Sequence, residues 1–473
     1  MSPKNVIFTS VTSLPVISLG LLCHNRAVFS TVAKIKTTPY GVVFIFATVE
    51  KTALLWHNRP KEITGREVTD VKITFLGDIM AEPPVLKAAK RKDGYDFRGV
   101  FAYTKKLLTQ SDYVVGNLET PLAGKKAGYT NTHLCFNAPD EYVDALIDAG
   151  VNLVSTANNH TFDRGYEGME RTIQVLDEKG LAHTGSFMPG TTRPEAYYFE
   201  LGGTTFAVIA YTYGTNYGGS GGKCLAEGEY DGTVNLLCHQ RSDTYLPGVW
   251  RGGDWIDKLF AKIPFIKDAN VPGKLKKFFG LTATYSRHDD LLEGKTDTPY
   301  IEQMQRDIRF AKDRADVVLF YPHVGGQFNI KPGAFTEYIV EKAVEAGADA
   351  VIATHSHIPQ KFEWKNGVPC SYCLGNFNMN PQSYLAMPEI LTNYGYALHF
   401  YVENRKIAKV TFSMMKNHTG RDGQISSYPV DRLYATLTSE KDKKKLEKEI
   451  RHLYGRVTGK PLTGELVRKE YEL

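Results

Sequence analysis

From Val71 onward, short runs of Val, Ile, Leu and Phe alternate with stretches in which apolar residues recur every three or four positions. Continuous apolar runs mark strands buried on both faces, and the wider spacing marks helices with one buried side. The runs VKITFLGD, SDYVVGNLE, VNLVSTA, TTFAVIAYTY, ADVVLFYPH and ADAVIATHSH therefore predict strands. Between them VFAYTKKLLT, EYVDALIDAG, YEGMERTIQVLDEKG, PYIEQMQRDIRFAKDRA and TEYIVEKAVEAG predict helices. Gly150 and Gly180 stand where helix C-caps fall. The segment YALHFYVENRKIAKVTFSMM reads as a closing hairpin that turns at Asn404 and Arg405. This alternation predicts an α/β protein with a parallel sheet.

Three segments fall outside the rhythm. Residues 1–65 read as a leader, and within it Asn5 to Cys23 is uncharged and preceded by Lys4. That pattern suits the apolar core of a signal or a short membrane anchor, so attachment to a membrane or export is expected, with a plain leader as the alternative. A second run, YGVVFIFATVEKTALLW, is broken by Glu50 and Lys51 and makes a poor membrane span. The main domain is placed at residues 66–417, with an insertion at about 217–297 that is first Gly-rich and then carries KLFAKIPFIKDANVPGKLKKFFG. This basic and aromatic stretch reads as an amphipathic helix or solvated lid, or as a surface for a polyanion or anionic membrane. The tail, 418–473, contains SEKDKKKLEKEIRHLYGRV and predicts an exposed, charge-paired helix.

Composition narrows the picture only slightly. A formal net charge of +5 over 473 residues does not mark a nucleic-acid binder, and none is expected as a partner. The six cysteines are too scattered for a disulfide framework. Cys370 and Cys373 form a C-x-x-C, but VPCSYCLGNF reads as a strand, where residues three apart point to opposite faces. Two partly buried thiols are the plainer reading there.

The residues able to do chemistry all fall at strand ends. Asp78 follows one strand; Asn117 and Glu119 close the next; Asn159, His160 and Asp163 follow a third within ANNHTFDRG; His323 ends a fourth; His355 and His357 end a fifth. In an open α/β sheet, loops at the carboxyl ends of strands meet in one crevice. Carboxylates, imidazoles and an amide oxygen together suit a divalent ion such as Mn, Fe, Zn or Mg. Alternate residues of an extended segment share a face, so His355 and His357 are expected to approach one ion or two adjacent ones. Two adjacent ions suit attack of water on a phosphorus centre, since both carry the developing charge. Asp163 is placed to orient His160 by accepting its other N–H. Each cluster alone is ordinary: an Asp after a strand is commonly a helix N-cap, and a single His commonly a satisfied core residue. Their joint occurrence at five strand ends is what predicts a metal site.

In GDIM, GNLETPL, ANNHTFDRG, PHVGG, THSHIPQ and YCLGNF, in that order across about residues 71–412, the chain resembles the CapA/PgsA family of poly-γ-glutamate capsule biosynthesis proteins, distant relatives of calcineurin-like metallophosphoesterases. The resemblance implies a four-layer α/β/β/α sandwich with the metal site at the strand ends. It implies that Asp78, Asn159, His323, His355 and His357 hold ions, with Glu119 near the place of a bridging carboxylate. His160 matches the catalytic or leaving-group histidine, with Asp163 beside it, and Asn117, Asn158 and Asn376 are assigned to substrate. Two departures stand out. Asp78-Ile79-Met80 replaces D-x-H, and His323-Val324-Gly325-Gly326-Gln327 replaces H-W-G-x-E.

The function these features predict is metal-dependent hydrolysis of a phosphate ester, with one or two ions, in the making, export or anchoring of an anionic polymer such as poly-γ-glutamate. A membrane-bound synthase complex is the expected setting. Two alternatives stay open: a non-catalytic subunit that binds polymer or stabilises a complex, and a general phosphodiesterase without a capsule role.

Overall fold

The computed structural model describes the backbone of residues 32–37 and 43–48, and residues 69–131, 135–216, 232–238, 289–291, 296, 298–381, 390–420 and 423–473. The chain divides into two units, residues 1–66 and 67–473. In the first, the strand Val32–Thr37 pairs antiparallel with Val43–Thr48. The run from Asn5 to Cys23, on which the anchor or signal expectation rests, lies outside the described residues. So does the basic and aromatic part of the 217–297 segment. Among the described residues no helix is long and apolar enough to cross a membrane.

The second unit is a mixed α/β architecture of two β-sheets flanked by helices. In the larger, nine-stranded sheet, Val71–Ile79, Tyr113–Leu118, Leu153–Ser155 and Ala182–Thr184 are successive parallel neighbours. On the other side of Val71–Ile79 come Tyr394–Glu403, Lys406–Thr419 and Ile425–Pro429, all antiparallel. In the six-stranded sheet Thr204–Thr212, Val317–His323, Ala350–Ile352 and Val368–Ser371 run parallel between two antiparallel edge strands, Tyr197–Leu201 and Phe362–Lys365. The predicted strands are thus present, and the hairpin turns at Asn404 and Arg405, both with positive φ (50° and 63°), as a tight two-residue turn requires.

Residue alternation explains why these runs are apolar throughout. Phe206 and Val208 belong to a core shared with Ile73, Phe75, Val115 and Leu153 of the other sheet. Ala207 and Ile209, on the opposite face, pack with Ile301 and Ile308 of helix Pro299–Lys312 and Ile339 of helix Ala334–Ala346. In the larger sheet Val114 and Val154 face Leu146 of helix Glu141–Ala149 and Leu176 of helix Gly165–Lys179. Every central strand therefore has two buried faces, which only a continuous apolar run can fill. Both of these last helices end as predicted on a glycine in the left-handed region, Gly150 (φ 100°) and Gly180 (φ 71°).

Two expectations need correction. VFAYTKKLLT is not one helix but two short ones, Arg98–Phe101 and Lys105–Leu108. The buried Thr104 hydroxyl donates to the Phe101 carbonyl, taking the acceptor that an unbroken helix would offer to the next turn. The tail helix, Glu440–Thr458, is charged but not wholly exposed. Leu446, Ile450, Leu453 and Val457 recur at helical spacing and are buried in the core that also lies between the sheets. The C-x-x-C thiols are fully buried and free, and burial pushes both up to about 12, so they are poor nucleophiles and poor ligands.

One close approach fixes the register on which the candidate site depends. Asp78 N donates to Gly375 O (3.0 Å), and a Cβ on Gly77 would lie 1.8 Å from that same oxygen. From the other side, a Cβ on Gly395 would lie 2.4 Å from Asn376 O. The segment carrying Gly375 and Asn376 is thus held between two strands that can come this near only through glycine. Replacing Gly77 with Ala is expected to lower the unfolding free energy by about 1–3 kcal/mol or more, as overpacking does. An unchanged urea midpoint for Gly77→Ala would show that this contact does not carry the register.

Candidate metal centre

The strand ends meet as loops of a parallel sheet should. Asp78 lies in register with Asn117 on one side and Asn376 on the other. Glu119, two residues beyond Asn117, keeps the same side of the chain, and its backbone N–H still donates to Ile79 O (3.0 Å). From the other sheet come His323, at the end of its strand, and the loop of His355 and His357 after Ala350–Ile352.

These residues form two triads that share one carboxylate. Glu119, His323 and His355 offer ligand atoms within 4.8 Å of one another, and so do Asp78, Glu119 and His357. His323 Nε2 is 3.5 Å and His357 Nε2 3.8 Å from Glu119 Oε1. Asn159 Oδ1 adds an amide oxygen 2.9 Å from His323 Nε2, and His355 Nδ1 lies 3.1 Å from the same nitrogen. The first group therefore gathers a carboxylate, two imidazoles and an amide oxygen around one point. In the second, Asp78 Oδ2 lies 3.2 Å from His357 Nδ1.

Whether this set fits a cation is decided by Glu119. Its side chain is fully buried, and neither carboxylate oxygen has a hydrogen-bond partner among the described residues. An ionised carboxylate in that position costs several kcal/mol unless a positive charge stands beside it. The surrounding groups respond to the same field. Burial opposes a charge on His357, yet the neighbouring Glu119 and Asp78 carboxylates outweigh it and raise the imidazole to about 9. Burial likewise opposes ionisation of Asp78, but His357, His323 and the Asn117 amide hold its carboxyl below the usual range. The donors and their net negative field fit one or two divalent cations.

The loop of the two histidines is not the extended segment expected from THSH. His355 (φ 104°) and His357 (φ 55°) both occupy the left-handed region. Such backbone is costly for a residue with a side chain and survives only where surrounding structure imposes it. The consequence is that the rings diverge, His355 to one triad and His357 to the other, instead of lying side by side.

A second layer holds these ligands in place. Thr354 Oγ1 lies 2.9 Å from His323 Nδ1; with the proton on Nδ1, the lone pair of Nε2 faces Glu119. Asn117 Nδ2 donates to Asp78 Oδ1 (2.8 Å) and lies 3.0 Å from His323 Nδ1, while its own oxygen accepts from Asn158 (3.2 Å). Asn158 Oδ1 accepts from His160 N (3.1 Å), shaping the turn. Asn376 Oδ1 is 2.9 Å from His357 Nδ1, and its amide donates to the carbonyls of His357 and Thr392. All three asparagines that were assigned to substrate are buried and engaged with protein groups.

His160 stands beside the triads without joining them. Its Nδ1 is 2.6 Å from Asp163 Oδ2, and its Nε2 is 3.8 Å from Glu119 Oε1. Burial disfavours the imidazolium, but Asp163 and Glu119 more than offset it and raise the ring above its ordinary value. Asp163 is itself fixed by the Phe136 N–H (2.5 Å).

Two contributions escaped the sequence reading. Asn216 accepts from the Asn159 amide (3.1 Å) and so turns the Asn159 oxygen toward His323. The cavity beside His160 and His357 is walled by Met80, Phe136, Phe328 and Met379. Met80 thus forms part of an apolar wall at the place where D-x-H would put a ligand. Its substitution was visible in the sequence; its packing partners, far apart along the chain, were not.

The chain is 26% identical over 346 residues to "Capsule biosynthesis protein CapA" of Bacillus anthracis, covering 71% of this chain and 67% of that protein. It is 24% identical over 408 residues to "PGA biosynthesis protein CapA" of Bacillus subtilis, covering 85% of this chain and 83% of that one. Among solved structures, a putative 5'-nucleotidase from Staphylococcus aureus aligns at 11% identity and a TM-score of 0.36, over 81% of this chain and 59% of its own. The family profile described as bacterial capsule synthesis protein PGA_cap matches residues 72–381, a span that contains every residue of both triads, and the chain belongs to that family.

Proposed function

We infer that the protein is a metal-dependent phosphoesterase-type hydrolase that acts in the making, export or anchoring of an anionic capsule polymer. The observation that carries the reading is the buried Glu119 carboxylate, without a hydrogen bond among the described residues and shared by two groups of ligands. The layering supports it too: helices, large sheet, small sheet and helices share three apolar cores, the arrangement of a four-layer α/β/β/α sandwich. The names of the relatives, which speak of capsule and PGA biosynthesis, supply the polymer.

The two groups of ligands, with Glu119 common to both, would hold one or two divalent ions, which would supply Lewis acidity for phosphate-ester chemistry. One would be held by Glu119, His323, His355 and Asn159, the other by Asp78, Glu119 and His357. The chain's own residues do the rest. Asp163 fixes the proton on His160 Nδ1 and stabilises the charged ring, so that Nε2–H points toward the crevice as a general acid for the leaving oxygen. Asn117, Asn158 and Asn376 hold the ligands and the turn in position. Met80, Phe136, Phe328 and Met379 narrow the approach and exclude water from one side.

Metal analysis of the purified protein is expected to find up to two divalent ions per chain, with Glu119→Gln losing both and His357→Ala losing one. EDTA is expected to lower the melting temperature of the parent and leave that of Glu119→Gln almost unmoved. Protein that takes up no ion when Mn, Fe, Zn and Mg are offered in turn would overturn the reading.

Turnover of an aryl phosphate diester is expected to fall about 10²–10⁴-fold in His160→Ala while metal content stays at the parent level. Since the acid form of His160 is the active one, and its environment raises the ring, the rate is expected to persist through neutral pH and fall as pH rises further. Asp163→Asn removes the main stabiliser of that charge and is expected to move the fall to lower pH. A pH profile unmoved by Asp163→Asn would assign the proton to another group.

A further inference from the structure

Helix Glu440–Thr458 lies beyond the span matched by the family profile, residues 72–381, and neither triad draws on it. Its apolar side, Leu446, Ile450, Leu453 and Val457, is buried. At about 100° per residue, Lys441, Lys444, Lys445, Lys448, Arg451 and His452 fall within about 120° of arc on the side directly opposite. All six are exposed. From Lys441 to Arg451 the stripe runs along about 15 Å of helix.

The four acidic residues of the helix, Glu440, Asp442, Glu447 and Glu449, fall outside this arc. Glu449 is turned to Lys416 and to the Tyr394 hydroxyl (2.6 Å). Glu447 accepts from the Tyr434 hydroxyl (2.7 Å), and Glu440 pairs with Lys443 (3.0 Å). Among the described residues Lys441, Lys444, Lys445, Lys448 and Arg451 form no ion pair. The helix is charge-paired only in part: Glu440 pairs with Lys443 and Glu449 with Lys416, while Lys441, Lys444, Lys445, Lys448 and Arg451 of the stripe face solvent. The field reaches His452, whose ring is lowered by burial and then by the Arg456 and Lys448 charges.

We propose that this stripe is a docking surface for a linear polycarboxylate chain. A row of like charge along one helix matches a repeating anion, and among the described residues none of these five charges has an ion-pair partner. Four of the five permanent charges are lysines, point charges on flexible stems, which suit a flexible anionic chain held by charge along its length and not by a fixed bidentate fork. A membrane surface is the weaker match, because an interfacial helix inserts an apolar face, and here that face is buried in the core. A second copy is also weaker. The acidic row Glu337, Glu341 and Glu345 on helix Ala334–Ala346 is already paired with Lys361, Lys365 and Lys342. The stripe stands on geometry alone; its assignment to a carboxylate polymer rests on the function inferred above.

The test is the affinity of the full chain for a soluble, fluorescently labelled polyglutamate, measured by anisotropy at low and at raised salt. The variant K441Q/K444Q/K445Q/K448Q/R451Q keeps good helix formers at every position. The control K87Q/K105Q/K106Q/K125Q/K126Q removes the same charge from exposed positions elsewhere. The stripe variant is expected to bind about tenfold or more weakly and to lose most of its salt dependence, with the control close to the parent. Equal loss in both variants, unchanged binding in the stripe variant, or binding by the parent to phosphatidylserine vesicles but not to polyglutamate would overturn the proposal. So would a change of oligomeric state in the stripe variant with polymer binding intact. Hydrolysis of the aryl phosphate diester is measured on the same samples and bears only on the phosphoesterase reading, since neither variant touches the triads.

Discussion

A carboxylate sealed from water without a donor is the constraint around which this unit is arranged. Glu119 has no hydrogen bond among the described residues, three imidazole nitrogens stand within 3.8 Å of its Oε1, and the whole group lies under protein. Removing such a charge from water costs several kcal/mol, and the neighbouring imidazoles, raised at His357 and His160, return part of it. The chain could have avoided the cost by placing an amide or an apolar residue there. Instead two strands, one from each sheet, and three loops deliver negative and neutral donors to the same point. A cation would offset the imbalance, and the same excess of negative charge shows in the raised His357, beside Glu119 and Asp78, while amide oxygens turn inward at Asn159 and Asn376.

Holding ligands this closely requires the backbone to be closer still. Gly77 and Gly395 let two strands close on the segment of Gly375 and Asn376, which sets Asn376 against His357. On the other sheet the left-handed His355 and His357 are the local expression of the same demand. Strain of about 1–3 kcal/mol per such residue is sustained only by a rigid surround. Here that surround is concrete: Thr354 behind His323, Asp78 accepting from His355 N (3.3 Å), and the Asn376 amide on the His357 carbonyl.

Much of this was legible in the sequence because it depends on short-range patterns. Apolar runs with two buried faces, glycine caps at Gly150 and Gly180, and the Asn404-Arg405 turn follow from local chemistry. The ligands were legible for a related reason: each lies at the end of a run, and parallel topology brings such ends together. Other features depend on residues far apart in the chain. The positive φ of the two histidines, the engagement of Asn117 with Asp78 and His323, and the wall of Met80, Phe136 and Met379 are set by packing between sheets and loops. The tail helix is a different case. Its apolar spacing, Leu446, Ile450, Leu453 and Val457, was on view, but the density of charge around it favoured an exposed reading.

That helix connects the two themes. Its buried side joins the core between the sheets, Glu449 reaches Tyr394, and Arg456 donates to Ile390 O (2.7 Å). Ile390 and Tyr394 bracket Thr392, whose carbonyl accepts from the Asn376 amide (2.9 Å), and Asn376 in turn faces His357. A continuous set of contacts therefore runs from the tail to a candidate ligand. Such a set supports Asn376 from behind by packing and hydrogen bonds. It follows that the inner side of the helix serves the metal centre by packing, while the outer side is free to vary in charge without disturbing it. Two surfaces of one helix can then answer to different requirements, one for rigidity and one for an anionic partner, because they lie on opposite sides of its axis.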